Sequence, residues 1–278
     1  MNQTIFLLLG VLGIAGLGSL ISSNDDDHPP EAPADDPFGG RELTEGTEDD
    51  DTIAAGDGDD AIQSFEGNDS VSGGGGDDAI WTGYGDDTVS ADAGDDEIYL
   101  GYDDDVYGAV DPGTVAGNDT IDGGEGDDTI ITNSGNHSIT GGEGDDRIED
   151  HGGTVYIDGE DGDDLILSAD ASEPDAQDTL LGGDGDDTIH AGANDIVSGG
   201  DGDDQIVLRS DAGGATTIIY GSSDSISITL PADYDGEEEY DMVQDGDDVQ
   251  IVVNGEVLAI LKDTVTDDVD NISFTRET

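Results

Sequence analysis

A glycine two residues before an aspartate returns at Gly58, Gly67, Gly76, Gly85 and Gly94, nine residues apart each time. It returns again at Gly126, Gly144 and Gly162, with weaker copies between them at Gly135 and Gly153. Four residues after each glycine stands an apolar residue: Ile62, Val71, Ile80, Val89, Ile98, then Ile130, Ile139, Ile148, Ile157 and Ile166. The apolar slot survives even where the aspartate is lost. An acidic tail held only for solubility has no use for such a slot, so the period is structural. A unit that buries one side chain cannot fold alone, and stacking on its neighbours is what such a repeat must do.

The unit reads G-G-x-G-x-D-x-U-x, with U apolar. Its first six residues have turn chemistry, because glycine supplies positive φ and close backbone approach. Its last three form a short strand whose middle residue points inward. Two units make a flattened coil of eighteen residues with a turn on each edge, and coils stack as parallel strands about 4.8 Å apart. Stacking places the position-six aspartates in rows. Here composition matters: 72 acidic residues face 5 basic ones, a net charge of −67. So anionic and weakly apolar a chain should stay disordered unless something offsets its repulsion. A hard divalent cation between turns would do so. Calcium accepts six to eight oxygens and mixes carboxylates with carbonyls, whereas magnesium demands a rigid octahedron.

Because turns alternate edges, the position-six residues sort into two rows. One holds Asp69, Asp87, Asp105, Asp128, Asp146, Asp164, Asp187 and Asp204. The other holds Asp60, Asp78, Asp96 and Asp119, is interrupted at His137 and Val155, and resumes at Asp178 and Asp195. The sorting absorbs two five-residue insertions, around 110–114 and 170–174, on the interrupted side. The fourteen aspartates are the expected ligands of multiple Ca2+ ions, in a continuous row on one edge and a broken row on the other. Ile139 and Ile157 should still point into the core. The position-five acids (Asp59, Asp77, Asp86, Asp127, Asp145) are expected to point outward and strengthen the anionic field. Trp81, Tyr84, Tyr99 and Tyr102 read as outward strand or turn residues rather than a carbohydrate platform, and His137 as a degenerate site.

Other chemistry is missing from the sequence. Without cysteine there are no disulfides and no thiolate metal sites. His28, His137, His151 and His190 form no spaced pair, and no HExxH, GxSxG or Walker phosphate loop occurs. GGGG at 73–76 is followed by Asp77 and Asp78, which would repel a pyrophosphate. A polyanion also repels nucleic acid, so none is expected as a partner. The chain reads as a non-enzyme.

Four segments follow: a hydrophobic anchor or export segment (1–23), an acidic proline-rich linker (24–45), the repeat array (46–226) and a C-terminal β cap (227–278). The uncharged run 4–21 could extend about 27 Å as a helix and tether the chain to a membrane. In the cap, SISITL, DDVQIVV and EVLAILK read as strands, with Asn254-Gly255 as a hairpin turn.

GGGGDDAIW at 73, GGEGDDTII at 123, GGEGDDRIE at 141, GGDGDDTIH at 182 and GGDGDDQIV at 199 fit one known pattern at every defined position. Over residues 46–226 the chain resembles the RTX (repeats-in-toxin, haemolysin-type) calcium-binding repeats. The resemblance implies an all-β protein: a parallel β-roll solenoid of nonapeptide repeats, folded by calcium and closed by a small antiparallel cap. It also implies type I export, with residues 227–278 as the secretion segment, and a secreted or cell-surface location. The role expected is structural, adhesive (toward an extracellular glycan or surface partner) or ion-buffering. The alternatives are an accessory to a polysaccharide-active or other enzyme, or the secretion and folding module of a toxin-like protein.

Overall fold

In a computed structural model, residues 41–108, 117–168, 177–210, 213–221, 223–232, 238–269 and 271–277 are described. Short parallel strands stack into two facing sheets, which the chain visits alternately. The front sheet runs from Glu42–Glu45 and Asp60–Glu66 through Ala79–Tyr84, Glu97–Tyr102, Thr120–Glu125, Ser138–Glu143, Tyr156–Asp161, Thr179–Asp184 and Ile196–Asp201 to Thr216–Ile219. The back sheet runs from Thr52–Asp57 and Ser70–Gly75 through the intervening strands to Gln205–Arg209, Ser225–Leu230 and Ile272–Arg276. This is the right order for a roll in which each coil contributes one strand to each sheet.

Register follows from the apolar slot. Ile62 pairs with Ile80, Ile80 with Ile98, Ile98 with Ile121, and Ile121 with Ile139 along the front sheet. Val71 pairs with Val89, and Ile130, Ile148, Ile166 and Ile189 pair in turn along the back sheet. These residues are fully or almost fully buried and form one core between the sheets, Ile139 and Ile157 included. The core thus persists through the coils that lack a position-six aspartate.

The coil is eighteen residues wherever the two turns are regular, as for Thr129 and Arg147. Two coils span twenty-three, as in Glu97 against Thr120. The insertions expected at 110–114 and 170–174 fall between the described residues of those coils. One coil spans seventeen, as in Thr179 against Ile196. Both ends recruit segments that lie outside the motif. Glu42–Glu45 pairs in parallel with Asp60–Glu66, and Ser225–Leu230, the SISITL strand, pairs in parallel with Gln205–Arg209. Glu256–Lys262 continues the front sheet and leads into an antiparallel hairpin ladder, Asp248–Val253 and Asp241–Asp245. Asn254 and Gly255 take φ of 55° and 84°, the left-handed pair that a two-residue hairpin needs. Arg209, at the end of the roll, pairs with Glu277 of the cap, and within the cap Lys262 and Arg276 pair with Asp248 and Glu238.

The hydrophobic segment 1–23 and residues 24–40 of the linker lie outside the described residues. No helix among the described residues is long and apolar enough to cross a membrane.

Candidate metal centre

The chain passes from front to back sheet at one edge and returns at the other. At the first edge stand Asp69, Asp87, Asp105, Asp128, Asp146, Asp164, Asp187 and Asp204, all buried. The backbone N–H of each donates to Oδ1 of its counterpart one coil on: Asp128 to Asp146 and Asp146 to Asp164 at 2.8 Å, Asp164 to Asp187 at 2.9 Å, Asp187 to Asp204 at 3.0 Å. The same bond links Asp69 to Asp87, Asp87 to Asp105 and Asp105 to Asp128. Position six therefore needs a side-chain acceptor three bonds from Cα, which aspartate supplies and glutamate would overshoot.

Oδ1 is spent on the backbone; Oδ2 is the free atom. In all eight residues of the first edge, and in Asp78 and Asp96 of the second, Oδ2 is buried with no hydrogen-bond partner. Leaving so many carboxylate oxygens buried and unpaired is costly, and each one demands an explanation. Burial raises the affinity of these carboxylates for protons, neighbouring carboxylates add to it, and the backbone amide opposes both. Asp128, Asp146, Asp164 and Asp187 are pushed up to about 7 and Asp105 to about 8. Asp87 and Asp96 also reach about 7.

What lies beside Oδ2 is the position-one glycine of the same turn. A β-carbon built on Gly123, Gly141, Gly159, Gly182 or Gly199 would collide with Oδ2 of Asp128, Asp146, Asp164, Asp187 or Asp204 respectively. At Gly159 and Gly182 it would also strike the carbonyl oxygen of the next coil's first glycine. The glycine therefore keeps open a small cradle walled by a carboxylate oxygen and a carbonyl oxygen. Among the described residues no three carboxylate or imidazole side chains converge on a point. A cation here would draw most of its oxygens from the backbone. That donor set, hard and all-oxygen, suits calcium and not a thiolate- or imidazole-seeking metal.

Upstream on the first edge the cradle is partly filled. Position one is Ser64, Thr82 and Leu100 in the turns of Asp69, Asp87 and Asp105, and the Thr82 hydroxyl donates to the carbonyl of Leu100. The row also runs past the motif. Asp51 precedes it, donating its N–H to Asp69 Oδ1 at 2.7 Å, and Asp224 follows Asp204 in register. Sequence reasoning missed both. Asp51 lacks an apolar-glycine repeat before it, but its spacing from Asp69 was a usable signal; Asp224 sits in a turn with no glycine–aspartate phrase.

On the second edge, Asp60 opens the row, half-buried, with its N–H donating to Asp78 Oδ1 at 2.8 Å. Asp78 donates to Asp96 and Asp96 to Asp119 at 2.8 and 3.2 Å. His137 and Val155 occupy the next two slots on this same edge, and Val155 N–H donates to Asp178 Oδ1 at 2.9 Å and Asp178 N–H to Asp195 Oδ1 at 3.0 Å. The Asp119 N–H donates to His137 Nδ1 at 3.2 Å, so imidazole takes over the carboxylate's acceptor role. Asp119 Oδ2 lies 3.3 Å from that nitrogen. One nitrogen cannot both accept the amide hydrogen and donate to the carboxylate, and the amide fixes the lone pair there.

The position-five acids do point outward, but they also have a bonding role that the sequence did not reveal. Asp127 N–H donates to Asp104 Oδ1, Asp145 to Asp127, Asp163 to Asp145, and Asp203 to Asp186, each near 2.9 Å. Each turn is thus tied backward through position five and forward through position six. The four aromatic residues lie half-buried on the front sheet and stack on each other across coils. Tyr84 and Tyr102 have centroids 4.5 Å apart, and Trp81 and Tyr99 have centroids 5.9 Å apart with planes 4° from parallel.

Comparison with known proteins bears on the repeats. The family model of the RTX calcium-binding nonapeptide repeat (4 copies) matches residues 45–80, 81–108, 115–136, 138–170 and 175–206, more than half of the chain. No curated protein matches the sequence. Among solved structures, the extracellular lipase LipA from Serratia marcescens aligns at 16% identity with a TM-score of 0.25. The alignment covers 83% of this chain but only 39% of the lipase. The roll is established by its own strand register rather than by that likeness.

Proposed function

Given that the chain belongs to the RTX calcium-binding nonapeptide repeat family, we propose that it is a non-catalytic β-roll whose folding is driven by a row of Ca2+ ions along its first edge. The observation that carries this is the run of buried, partnerless Oδ2 atoms beside open position-one glycines, from Gly123 and Asp128 to Gly199 and Asp204. Asp78 with Gly73 repeats the arrangement on the second edge. Asp69, Asp87, Asp96 and Asp105 offer the same free oxygen beside a more crowded position one. The ion would supply positive charge beside each of these single carboxylate oxygens. The chain's own part is to hold Oδ1 with the neighbouring amide, turn Oδ2 into the cradle and exclude water.

Energetics favour the same reading. Each nonapeptide buries about one large apolar side chain, which by itself does not offset the ordering of nine backbones. Ion binding adds to the strand ladders and inter-turn hydrogen bonds, and in such systems it is folding free energy. Sites built from carbonyls and single carboxylates match the weak calcium affinities, about 10⁻⁴–10⁻³ M, of extracellular modules. This supports a secreted or surface-tethered location, with segment 4–21 as the tether and a structural or adhesive role outside the cell. Calcium titration followed by circular dichroism tests the proposal. β-Structure should appear cooperatively with calcium and not with equal magnesium. Unchanged β-structure in excess chelator at pH 8 would sink it.

A further inference from the structure

Asp119, Asp178 and Asp195 stand in the second row, yet their Oδ2 atoms are not free. Tyr107 Oη donates to Asp119 Oδ2 at 3.1 Å, Ser168 Oγ to Asp178 Oδ2 at 2.6 Å, and the Gly192 N–H to Asp195 Oδ2 at 2.7 Å. We propose that the second edge binds no calcium from Asp119 onward, because protein donors stand where the first edge offers an unpaired carboxylate oxygen. This rests on the calcium reading of the first edge and divides the roll into an ion-bearing and an ion-free flank.

Three independent features of the same stretch agree. Position one, which must be glycine to keep the cradle open, is Thr132 in the turn of His137, Asp150 in that of Val155, Ser168 in that of Asp178 and Ala191 in that of Asp195. Thr132 Oγ1 donates to Asp150 Oδ1 at 2.7 Å and Gly152 N–H to Asp150 Oδ2 at 3.0 Å, so these side chains fill the space and satisfy each other. The turn before Asp195 is one residue short, which pulls the Gly192 amide onto the carboxylate. The outward position-five residue changes as well. It is Asp59, Asp77 and Asp95 on the early second edge, then Asn118, Asn136, Thr154, Gln177 and Asn194. On the first edge it stays aspartate from Asp86 to Asp203. Asn118 and Asn136 keep the structural bond, accepting the N–H of Asn136 and Thr154 at 2.8 and 3.2 Å, while removing the charge. Where Oδ2 is satisfied by the protein, the anionic field that would draw a cation has also been withdrawn.

Calcium-loaded full-length protein carrying Asp195→Asn should be compared with Asp204→Asn, its neighbour on the opposite edge. Bound calcium is counted by equilibrium dialysis, and the slope of unfolding free energy against log calcium gives an independent count. Asp204→Asn should lose about one ion and reduce the slope accordingly, while Asp195→Asn should change neither. Should Asp195→Asn not fold, Asp195→Ser replaces it, since its hydroxyl can still accept from Gly192. Loss of an ion in either Asp195 variant would overturn the ion-free flank and leave the first-edge reading intact. Wild-type protein that binds no calcium would overturn both.

Discussion

Replacing Gly182 by alanine places a methyl group against Asp187 Oδ2 on one side and the carbonyl oxygen of Gly199 on the other. Neither neighbour can yield freely. Asp187 is pinned through Oδ1 by the amide of Asp164 at 2.9 Å, and the Gly199 carbonyl belongs to the next coil's backbone. Overpacking of this kind costs about 1–3 kcal/mol. Displacing Oδ2 also abolishes one ion site, which removes about 2.7 kcal/mol at calcium a hundredfold above its Kd. The combined loss, about 4–6 kcal/mol, is a large share of the stability of a typical domain. It should appear as a higher calcium midpoint for folding and about one fewer bound ion, read by circular dichroism with equilibrium dialysis. Gly75→Ala is the control, because a methyl there meets only Asp57 Oδ1 at 3.9 Å. Equal midpoints and equal ion counts for Gly182→Ala, Gly75→Ala and wild type would refute the cradle.

Three further outcomes are expected. The buried carboxylates hold protons up to about 7 in the folded chain against 3.8 when unfolded, chiefly because burial disfavours their charge. The folded state therefore binds more protons between those values. In chelator the roll should be most stable below pH 3.8 and lose that stability as pH rises through about 7, while apparent calcium affinity falls as pH drops below 7; far-UV circular dichroism in chelator at pH 5 and pH 8 measures the difference. Glu160 adopts φ 73° in a position-two slot where the repeat has glycine, so Glu160→Gly should stabilise calcium-loaded protein by about 1 kcal/mol in urea unfolding. Tyr107→Phe strips the donor from Asp119 Oδ2 and should cost about 1–3 kcal/mol in the same assay.

Much of this architecture was legible because the repeat encodes it redundantly. Glycine spacing, the apolar slot and the aspartate each give the same period, so a lost aspartate at His137 or Val155 did not hide the coil. The two rows and their gap followed from counting alone. What counting could not supply was the bonding of each oxygen. Tyr107 occupies an apolar slot, pairing with Val89 and Ile130, and nothing in its position announces that its hydroxyl reaches Asp119. The short turn before Asp195 looks like an ordinary deletion until the Gly192 amide is seen on the carboxylate. Ser168 reads as a substituted glycine, whereas its hydroxyl satisfies the very oxygen that a glycine would have left open. Fourteen aspartates share one sequence position; the partner of Oδ2, a tertiary fact, separates them.

The most direct measurement is anomalous scattering from crystals of the full chain grown with calcium. A row of peaks is expected along the first edge from Asp128 to Asp204, each beside an Oδ2 atom and separated by about 4.8 Å, the spacing of stacked strands. A folded roll whose first edge carries no such peaks at saturating calcium would contradict the account.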